Sequence, residues 1–201
     1  MILSVLIPAY NPGQWLRGIV YKLIVQIARH PSTEIIIVND GSTEDLSWAI
    51  GLPHVRYVRK DNGGEPSARN LCMALARGEY IQWIDADDEI YDNFLDVIYD
   101  NISEGYDFVA YEFDTDHDVK RSYHHPGELM YNNTMWGYTF KRSFVGDAPF
   151  NESMMTGCDV DYLQRVLRED AKHKHDERVI YNYRWDGNEN SLCHQFLRGE
   201  I

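Results

Sequence analysis

The sequence predicts an α/β fold with a mostly parallel central sheet and helices on both of its faces. Two observations predict this class. Apolar runs at 2–7, 34–38 and 79–84 lack the polar alternation of half-exposed strands, so they are typical of strands buried on both sides. Stretches with helical spacing separate these runs, and such alternation over residues 1–100 indicates parallel strands joined by crossover helices.

The individual elements are bounded by turn residues and by apolar spacing. Trp15, Ile19, Leu23 and Ile27 recur every four residues, which predicts a helix that ends before Pro31. We predict the rest of the first half as a short helix at 43–50, a strand at 55–58, a helix from Pro66 to Gly78, and a helix capped by Asp92 that carries Leu95, Ile98 and Ile102. In the second half we predict strands at 106–113, 136–140 and 179–184 and a helix at 159–168.

The composition limits the class of protein. A chain of 201 residues with 44% hydrophobic and 13% aromatic residues suits one large core, so we expect a single domain over 1–201. A net charge of −13 argues against nucleic-acid binding, which needs a basic face. The three cysteines have no CxxC spacing, so we expect reduced thiols and a cytoplasmic location. The apolar start lacks the basic leader of a signal peptide, and no run reaches the roughly 18–20 apolar residues of a transmembrane segment.

Three carboxylates follow the predicted strand at 79–84. Asp85, Asp87 and Asp88 lie within four consecutive positions. Like charges this close raise one another's pKa, and a divalent cation removes the conflict. Mn²⁺ and Mg²⁺ take oxygen ligands, often one or two carboxylates together with substrate phosphates. The cluster therefore predicts a metal site that holds a diphosphate, and a solvated acidic turn is the alternative that fits the pattern equally well.

Other polar residues and glycines also follow predicted strands. Asp40 follows the second strand, Gly63 and Gly64 lie in the loop before a helix, and Arg69 lies near the start of that helix. In an open parallel sheet, ligands bind outside the carboxyl ends of the strands. Glycines let the backbone approach a phosphate, and a helix amino end favours anions. The set suits a nucleotide diphosphate, whereas the chain has no GxGxxG or Walker motif to support a dinucleotide cofactor or a P-loop.

Five segments occur in an order and at spacings that a known family shares. They are LSVLIPAYN at 3–11, EIIIVNDGST at 34–43, ARN at 68–70, GEYI at 78–81 and DADD at 85–88. In these segments the chain resembles the family 2 glycosyltransferases of GT-A fold, closely over 2–92 and more loosely over 135–195. The resemblance implies metal-dependent, inverting transfer of a sugar, of the hexosyltransferase type, from a nucleotide-diphosphate donor to an acceptor hydroxyl. A UDP-sugar is the favoured donor.

The resemblance also assigns roles in the donor site. It implies that Asp40 contacts the base with help from Pro8 and Tyr10, that Asp85 contacts the ribose, and that Asp87 binds the divalent metal, Mn²⁺ or Mg²⁺. Arg69 is expected near the donor phosphates or as a residue that fixes Asp85. The whole predicted donor site comprises Pro8, Ala9, Tyr10, Asn11, Asp40, Asn62, Gly63, Gly64, Arg69, Asp85, Ala86 and Asp87. These residues belong to a nucleotide-sugar-binding half at 1–100.

An acceptor-binding half is implied at 101–201. Family members carry a Glu-Asp pair at a helix start there, and its aspartate is the general base. Asp159 stands at the matching place and is the predicted base, although Cys158 departs from the family pattern. Asp161 is the competing choice, and a plain helix cap is the alternative role for Asp159. His194 is a further candidate metal ligand, because it follows the last predicted strand.

Several alternatives stay open at the level of the sequence. Asp40 also suits a turn and Arg69 a surface position, while Trp83 and Trp136 are more typical of packing than of sugar platforms. A non-catalytic nucleotide- or glycan-binding module is the rival function, and the retained set of aspartates argues against it. A nucleotidyltransferase needs a basic triphosphate-binding loop, which 11–14 does not supply.

The acceptor is not identified by any motif. A glycan, a lipid-linked sugar and another polymer all fit, and peripheral membrane association stays open. The chain ends soon after its last predicted strand, so we expect a minimal catalytic unit.

Overall fold

A computed structural model describes residues 1–115, 133–184, 195 and 198–199. The strands are β1 (Leu3–Ala9), β2 (Thr33–Asn39), β3 (Val55–Arg59), β4 (Tyr80–Trp83), β5 (Glu89–Ile90), β6 (Phe108–Thr115), β7 (Tyr138–Lys141) and β8 (His173–Tyr183). The helices are α1 (Trp15–Ile27), α2 (Glu65–Leu75), α3 (Phe94–Ile102), α4 (Arg142–Val145) and α5 (Cys158–Val166), with 3₁₀ turns at Ser47–Ala49 and Met135–Gly137. None of the helices in the described ranges is long and apolar enough to cross a membrane.

The eight strands form one sheet in the order β3-β2-β1-β4-β7-β6-β8-β5. β1 pairs in parallel with β2 and β4, and β2 pairs in parallel with β3. β7 is antiparallel to β4 and β6, β8 is parallel to β6, and β5 is antiparallel to β8. All strands except β7 and β5 therefore share one direction, which confirms the predicted mostly parallel α/β sheet.

Alternate residues of the central strands pack on opposite faces of this sheet. In β2, Ile35 and Ile37 join the core formed with α1 and α3, whereas Ile36 and Val38 join the core formed with α2 and α5. All four side chains are fully buried. Helices cover both faces, as expected, and this explains why the strands are apolar at every position. A ligand therefore meets the sheet at the edge where its strands end.

The structure differs from the predicted elements mainly where pairing between distant segments determines the bounds or the type of an element. The stretch at 43–50 forms only a 3₁₀ turn, and β8 begins at His173 because its polar first residues pair with β6. β5 was not predicted, since two residues become a strand only through their pairing with β8. The cap role predicted for Asp92 is wrong, because α3 begins after Asn93 and has no side-chain cap. The helix predicted to end at Gly78 ends at Leu75.

Candidate active site

The carboxyl ends of β1 and β2 are joined by hydrogen bonds. The Asp40 N–H donates to the Ala9 carbonyl oxygen at 2.8 Å. Asn11 Oδ1 accepts a hydrogen bond from the Thr43 N–H at 2.8 Å, so the loop after β1 is fixed to the loop after β2. Asn11 has φ +47°, a left-handed conformation that asparagine tolerates better than most residues. Tyr10 lies beside these contacts with 55% of its surface exposed, which makes its ring available to a ligand.

The Asp40 carboxylate holds the loop at 60–64. Its Oδ1 accepts from Lys60 Nζ at 2.6 Å and from the Gly63 N–H at 3.0 Å, and its Oδ2 accepts from the Gly64 N–H at 2.9 Å. Asn62 Nδ2 donates to the Asp40 carbonyl oxygen. Gly64 has φ +85°, a conformation that favours glycine, whereas a Cβ on Gly63 would lie 2.7 Å from Lys60 Nζ and would require that flexible side chain to shift. The predicted donor-site loop is therefore anchored to the end of β2.

Arg69 lies at the centre of the site and is fully buried, so the surface alternative is wrong. Its Nε donates to Glu65 Oε1 at 2.9 Å, and its Nη2 lies 3.2 Å from Asp85 Oδ1 and 3.3 Å from Asp159 Oδ1. The guanidinium also lies 5.1 Å from the centre of the Trp83 ring, a favourable cation–π distance. Burial lowers the pKa of Arg69, but Asp159, Glu65 and Asp85 raise it well above its ordinary value. One cation thus joins three carboxylates.

The three aspartates after β4 have different surroundings. Asp85 contacts Arg69, and its side chain is 28% exposed. Burial raises the pKa of Asp85 above its usual range; Arg69 opposes this shift, and the nearby carboxylates add to it. Asp87 is half-buried, whereas Asp88 is buried and accepts hydrogen bonds from the Tyr181 hydroxyl at 2.7 Å and the Arg184 N–H at 2.9 Å. Asp88 is therefore held by β8, and Asp85 and Asp87 are the members accessible to a ligand.

Asp159 comes from the other half of the chain. Gly157, with φ +73°, precedes α5, and the helix has no side-chain cap, so the cap alternative for Asp159 is wrong. Asp159 Oδ2 accepts from the Met135 N–H at 3.0 Å, and the Cys158 thiol lies 3.6 Å from its Oδ1. Burial raises the pKa of Asp159, Arg69 opposes this rise, and Glu65 adds to it. A carboxylate with a raised pKa is a stronger base, which suits proton abstraction.

Asp161, the competing base, faces elsewhere. Its carboxylate forms an ion pair with Arg165 at 2.7 Å, one turn along α5. The side chain is 32% exposed, compared with 17% for Asp159. It makes no hydrogen bond or ion pair with Arg69 or Asp85 in the contacts that the structure describes.

Sequence analysis missed Glu65 and Tyr181 as members of the site. Glu65 precedes Arg69 by four residues, and this i, i+4 spacing on a helix is the signal that could have found it. The Tyr181 hydroxyl accepts from the Asp85 N–H at 3.0 Å and donates to Asp88. No local pattern marks Tyr181, because its role depends on the pairing of β8 with β5 and β6.

Comparison with known proteins decides the family. A sequence profile described as Glycosyl transferase family 2 matches residues 4–167. The chain belongs to this family. It is 40% identical over 101 residues to an uncharacterized glycosyltransferase, YibD, of Escherichia coli K12, a match that covers 48% of this chain and 29% of that protein. It is 26% identical over 214 residues to the chondroitin synthase of Pasteurella multocida Pm70, with 95% of this chain and 21% of that protein covered. The chain thus spans less than a third of each relative.

The fold of this family 2 chain is also that of solved structures. The crystal structure of S. aureus TarS 1–349 in complex with UDP superposes with a TM-score of 0.80 at 18% identity, covering 94% of this chain and 62% of that one. The complex of the same protein with UDP-GlcNAc gives a TM-score of 0.80 and covers 92% of this chain. The likeness confirms the GT-A fold expected from the sequence.

The structure brings most of the residues predicted for the family 2 site to one edge of the sheet. Asp40 lies after β2 and binds the glycine loop that follows β3, and Asp85 to Asp87 lie after β4. Asp159 lies on α5 and contacts Arg69, which also contacts Asp85. Trp136 is packed against Tyr181, with ring centres 4.4 Å apart, and is 2% exposed, so it is a packing residue as expected. His194, the candidate metal ligand, lies outside the described residues.

The carboxylates around Arg69 and after β4 are ligands of the kind that a divalent cation takes. Glu65, Asp85 and Asp159 share the single guanidinium of Arg69, so the described contacts of this family 2 site bring three carboxyl groups to one cation even before Asp87 is counted. Side-chain ligand atoms of Glu65, Cys158 and Asp159 also lie within 4.8 Å of one another, but Arg69 already supplies the cation there. Asp87 is a half-buried carboxylate beside this group, and Mn²⁺ and Mg²⁺ commonly bind one or two carboxylates together with phosphate oxygens.

Proposed function

We propose that this chain transfers a sugar from a UDP-sugar to an acceptor hydroxyl with inversion of configuration. The observation that carries the proposal is the sharing of Arg69 by Asp85 and Asp159, at 3.2 Å and 3.3 Å. Asp85 belongs to the strand end where the family's donor is expected, and Asp159 belongs to the acceptor-binding half. A base and a donor site are therefore close enough to act on one bond.

The donor is proposed to occupy the edge formed by the ends of β1, β2 and β4. Pro8, Ala9, Tyr10 and Asn11 line the first of these ends, and Asp40 with the 60–64 loop lines the second. The Asp40 carboxylate is bound by Lys60 and by two backbone amides. The nucleobase of the donor can therefore hydrogen-bond to Asp40 only if it replaces one of these partners. The UDP and UDP-GlcNAc complexes of TarS, which has the same fold, support UDP as the nucleotide.

Asp159 is proposed as the general base. The acceptor oxygen forms a bond to the anomeric carbon while the bond from that carbon to the diphosphate oxygen breaks. The acceptor proton passes to Asp159, and the electron pair of the broken bond leaves with UDP. Because the pKa of Asp159 is raised by burial and by Glu65, its carboxylate holds the proton better than an exposed aspartate.

Mn²⁺ or Mg²⁺, proposed to bind at Asp87, supplies charge neutralisation for the diphosphate leaving group. Arg69 contacts Glu65, Asp85 and Asp159 through Nε and Nη2, and its buried Nη1 has no hydrogen-bond partner among the described residues. Glycans, lipid-linked sugars and other polymers remain the proposed acceptors. A cytoplasmic location and the division into donor and acceptor halves remain predictions.

The test is a donor panel of UDP-, GDP- and dTDP-sugars. Binding is measured by the Mn²⁺-dependent thermal shift, and turnover by the nucleoside diphosphate that is released when the donor is hydrolysed. We expect the UDP-sugars to stabilise the protein and to be hydrolysed. Asp159→Asn is expected to keep donor binding and to lose at least about 10²-fold in turnover, the typical contribution of a general base.

Asp161→Asn is the matched control in the same helix, and we expect it to keep turnover because Asp161 is paired with Arg165. Full turnover in Asp159→Asn would reject the base assignment, and loss in Asp161→Asn alone would transfer the role to Asp161. Stabilisation by every UDP-sugar with no turnover would favour the non-catalytic binding module.

A further inference from the structure

The hydrogen bonds of Arg69 are unequally shared among its three carboxylate partners. Glu65 accepts from both Nε, at 2.9 Å, and Nη2 of the guanidinium. Asp85 and Asp159 share only Nη2, at 3.2 Å and 3.3 Å. Normal charge-assisted N–H···O distances are about 2.7–2.9 Å. Glu65 therefore takes the strongest contacts of the cation, and Asp159 has one of the weakest.

The contact between Glu65 and Arg69 does not depend on the acceptor half. Glu65 is the first residue of α2, and Arg69 follows it by one helical turn. The pair therefore forms within one helix, whereas Asp159 meets Arg69 only when α5 packs against it. The Glu65 side chain is 27% exposed, so its charge costs less to keep than that of a fully enclosed carboxylate.

Among the described residues, the charged and titratable groups that face Asp159 come from three elements. They are Arg69 and Glu65 from α2, Asp85 from the end of β4, and the Cys158 thiol from α5 itself. The Met135 N–H binds the second carboxylate oxygen. Among them Arg69 is the cation, so the freedom of Asp159 to accept a proton depends on how Arg69 is shared.

We propose that Glu65 is a positioning residue for the reaction, because it takes the closest contacts of the Arg69 guanidinium, leaves Asp159 with a longer contact of 3.3 Å, and so keeps Asp159 a competent base. The proposal rests on the proposed function, in which Asp159 is the base. A carboxylate paired closely with an unshared arginine has its pKa lowered by about 1–3 units. Such a carboxylate would be a weak base. A second carboxylate that competes for the arginine, as Glu65 does, weakens this effect on Asp159.

Glu65→Gln removes the charge and keeps the shape. The amide oxygen can still accept from Arg69 Nε, so the guanidinium keeps a partner within α2. The loss of the negative charge frees Arg69 to attract Asp159 more strongly. We expect the protonation midpoint of Asp159 to fall by about one pH unit or more. A purely structural role for Glu65 predicts lower thermal stability with no change in this midpoint.

The midpoint is measured by ¹³C NMR of protein labelled at the aspartate carboxyl carbons, titrated without added metal or nucleotide. The Asp159 resonance is the one that disappears in Asp159→Asn. Glu79→Gln is the matched control, because Glu79 is 61% exposed and lies before β4, at the end opposite to Asp85. We expect the control to leave the Asp159 midpoint unchanged.

An Asp159 midpoint in Glu65→Gln that equals or exceeds the wild-type value would overturn the proposal. If the glutamine variant does not fold, Glu65→Ala replaces it, because a small alanine at the first position of α2 introduces no bulky side chain. The protonation midpoint of Asp159 is measured in the same way. Failure of the proposed function is seen separately, because Asp159→Asn would then keep full turnover whatever the midpoint. A lowered midpoint together with turnover in Asp159→Asn would establish the competition for Arg69 and reject the base role on which its use depends.

Discussion

At the scale of single residues, Tyr181 separates the roles of the three aspartates after β4. Its hydroxyl accepts from the Asp85 N–H at 3.0 Å and donates to Asp88 at 2.7 Å. Asp88 is thereby held against β8 and is 3% exposed, so it cannot serve a ligand without breaking these contacts. Asp88 therefore has a structural role, Asp85 contacts Arg69, and the half-buried Asp87 is the member proposed to bind the cation.

The proposed metal role of Asp87 predicts the outcome of a conservative substitution. Asp87→Asn removes one negative charge from the proposed site, and an amide is a poorer ligand for a hard cation than a carboxylate. We expect the Mn²⁺-dependent part of UDP binding to weaken by about tenfold or more, as measured by calorimetry with and without EDTA. Asp92→Asn is the control, because Asp92 is exposed and precedes α3. Equal Mn²⁺ dependence in Asp87→Asn and wild type would refute the role.

At the scale of elements, a buried network joins the end of α2 to β1 and β2. Ser4 Oγ donates to Glu34 Oε1 at 2.7 Å and accepts from the Gly78 N–H at 2.8 Å. Glu34 also accepts from Arg77 through the backbone N–H, Nε and Nη2. A Cβ on Gly78 would lie 2.5 Å from the Ser4 backbone nitrogen, so only glycine permits this approach. The network fixes where β4 begins, and hence where its carboxyl end places Asp85.

This network predicts a pH-dependent contribution of Glu34 to stability. Burial raises the pKa of Glu34, but the hydrogen bonds from Ser4 and Arg77 outweigh burial and lower it below its ordinary value. A lowered pKa in the folded state contributes stability that is fully present above the unfolded pKa of about 4.3 and is lost progressively as the pH falls from there through the lower pKa of the folded state. We expect Glu34→Gln to cost about 1–3 kcal/mol at pH 7 in urea unfolding, and less at pH 3.5.

Glu177→Gln is the control for Glu34, because Glu177 is exposed on β8. It should change the unfolding free energy by no more than about 0.5 kcal/mol at either pH. An equal cost of Glu34→Gln at both pH values would contradict the charged network.

At the scale of the whole molecule, Arg69, like Tyr181, joins residues 1–100 to residues 101–201 at the site. Its helix α2 packs on β1 and β2, while Asp159 comes from α5 and Asp85 from the end of β4. The strands of both halves also belong to one sheet. The site therefore forms only when both halves of the chain are folded together.

Arg69→Met tests this coupling, because it leaves three carboxylates without their shared cation. We expect a loss of about 3–5 kcal/mol at pH 7, typical of a broken buried ion pair. Without Arg69, the pKa values of the carboxylates rise further in the folded state. The penalty is then largest above these raised values and disappears as the pH falls below the unfolded pKa of about 4. Urea unfolding at pH 7 and pH 4 measures the difference.

Arg165→Met is the control for Arg69, because Arg165 is 39% exposed and pairs with Asp161 on the surface of α5. Its cost should stay below about 1 kcal/mol. A penalty for Arg69→Met that is independent of pH would show that Arg69 acts by packing against Trp83 rather than by its charge.

The sequence by itself determined strands β1 to β4, the order of the motifs in residues 1–100 and the family. These features depend on local patterns: the apolar runs of β1 and β2, the turn residues after them, and the aspartates after β4. Their placement at one edge follows from the parallel sheet, which the alternation of elements predicts. Asp159 was found by resemblance, because one aspartate near a helix start has no distinguishing pattern of its own.

Only the tertiary structure decided how charge is distributed in the site. The sequence predicts Arg69 near the donor phosphates or beside Asp85, with a surface position as the alternative. Its burial between Trp83 and three carboxylates depends on α2, β4 and α5 packing together. The two residues of β5 and the first half of β8 become strands only by pairing with distant segments. Local patterns report the preferences of a segment, whereas hydrogen bonds and ion pairs between remote side chains depend on three-dimensional distances that those patterns do not contain.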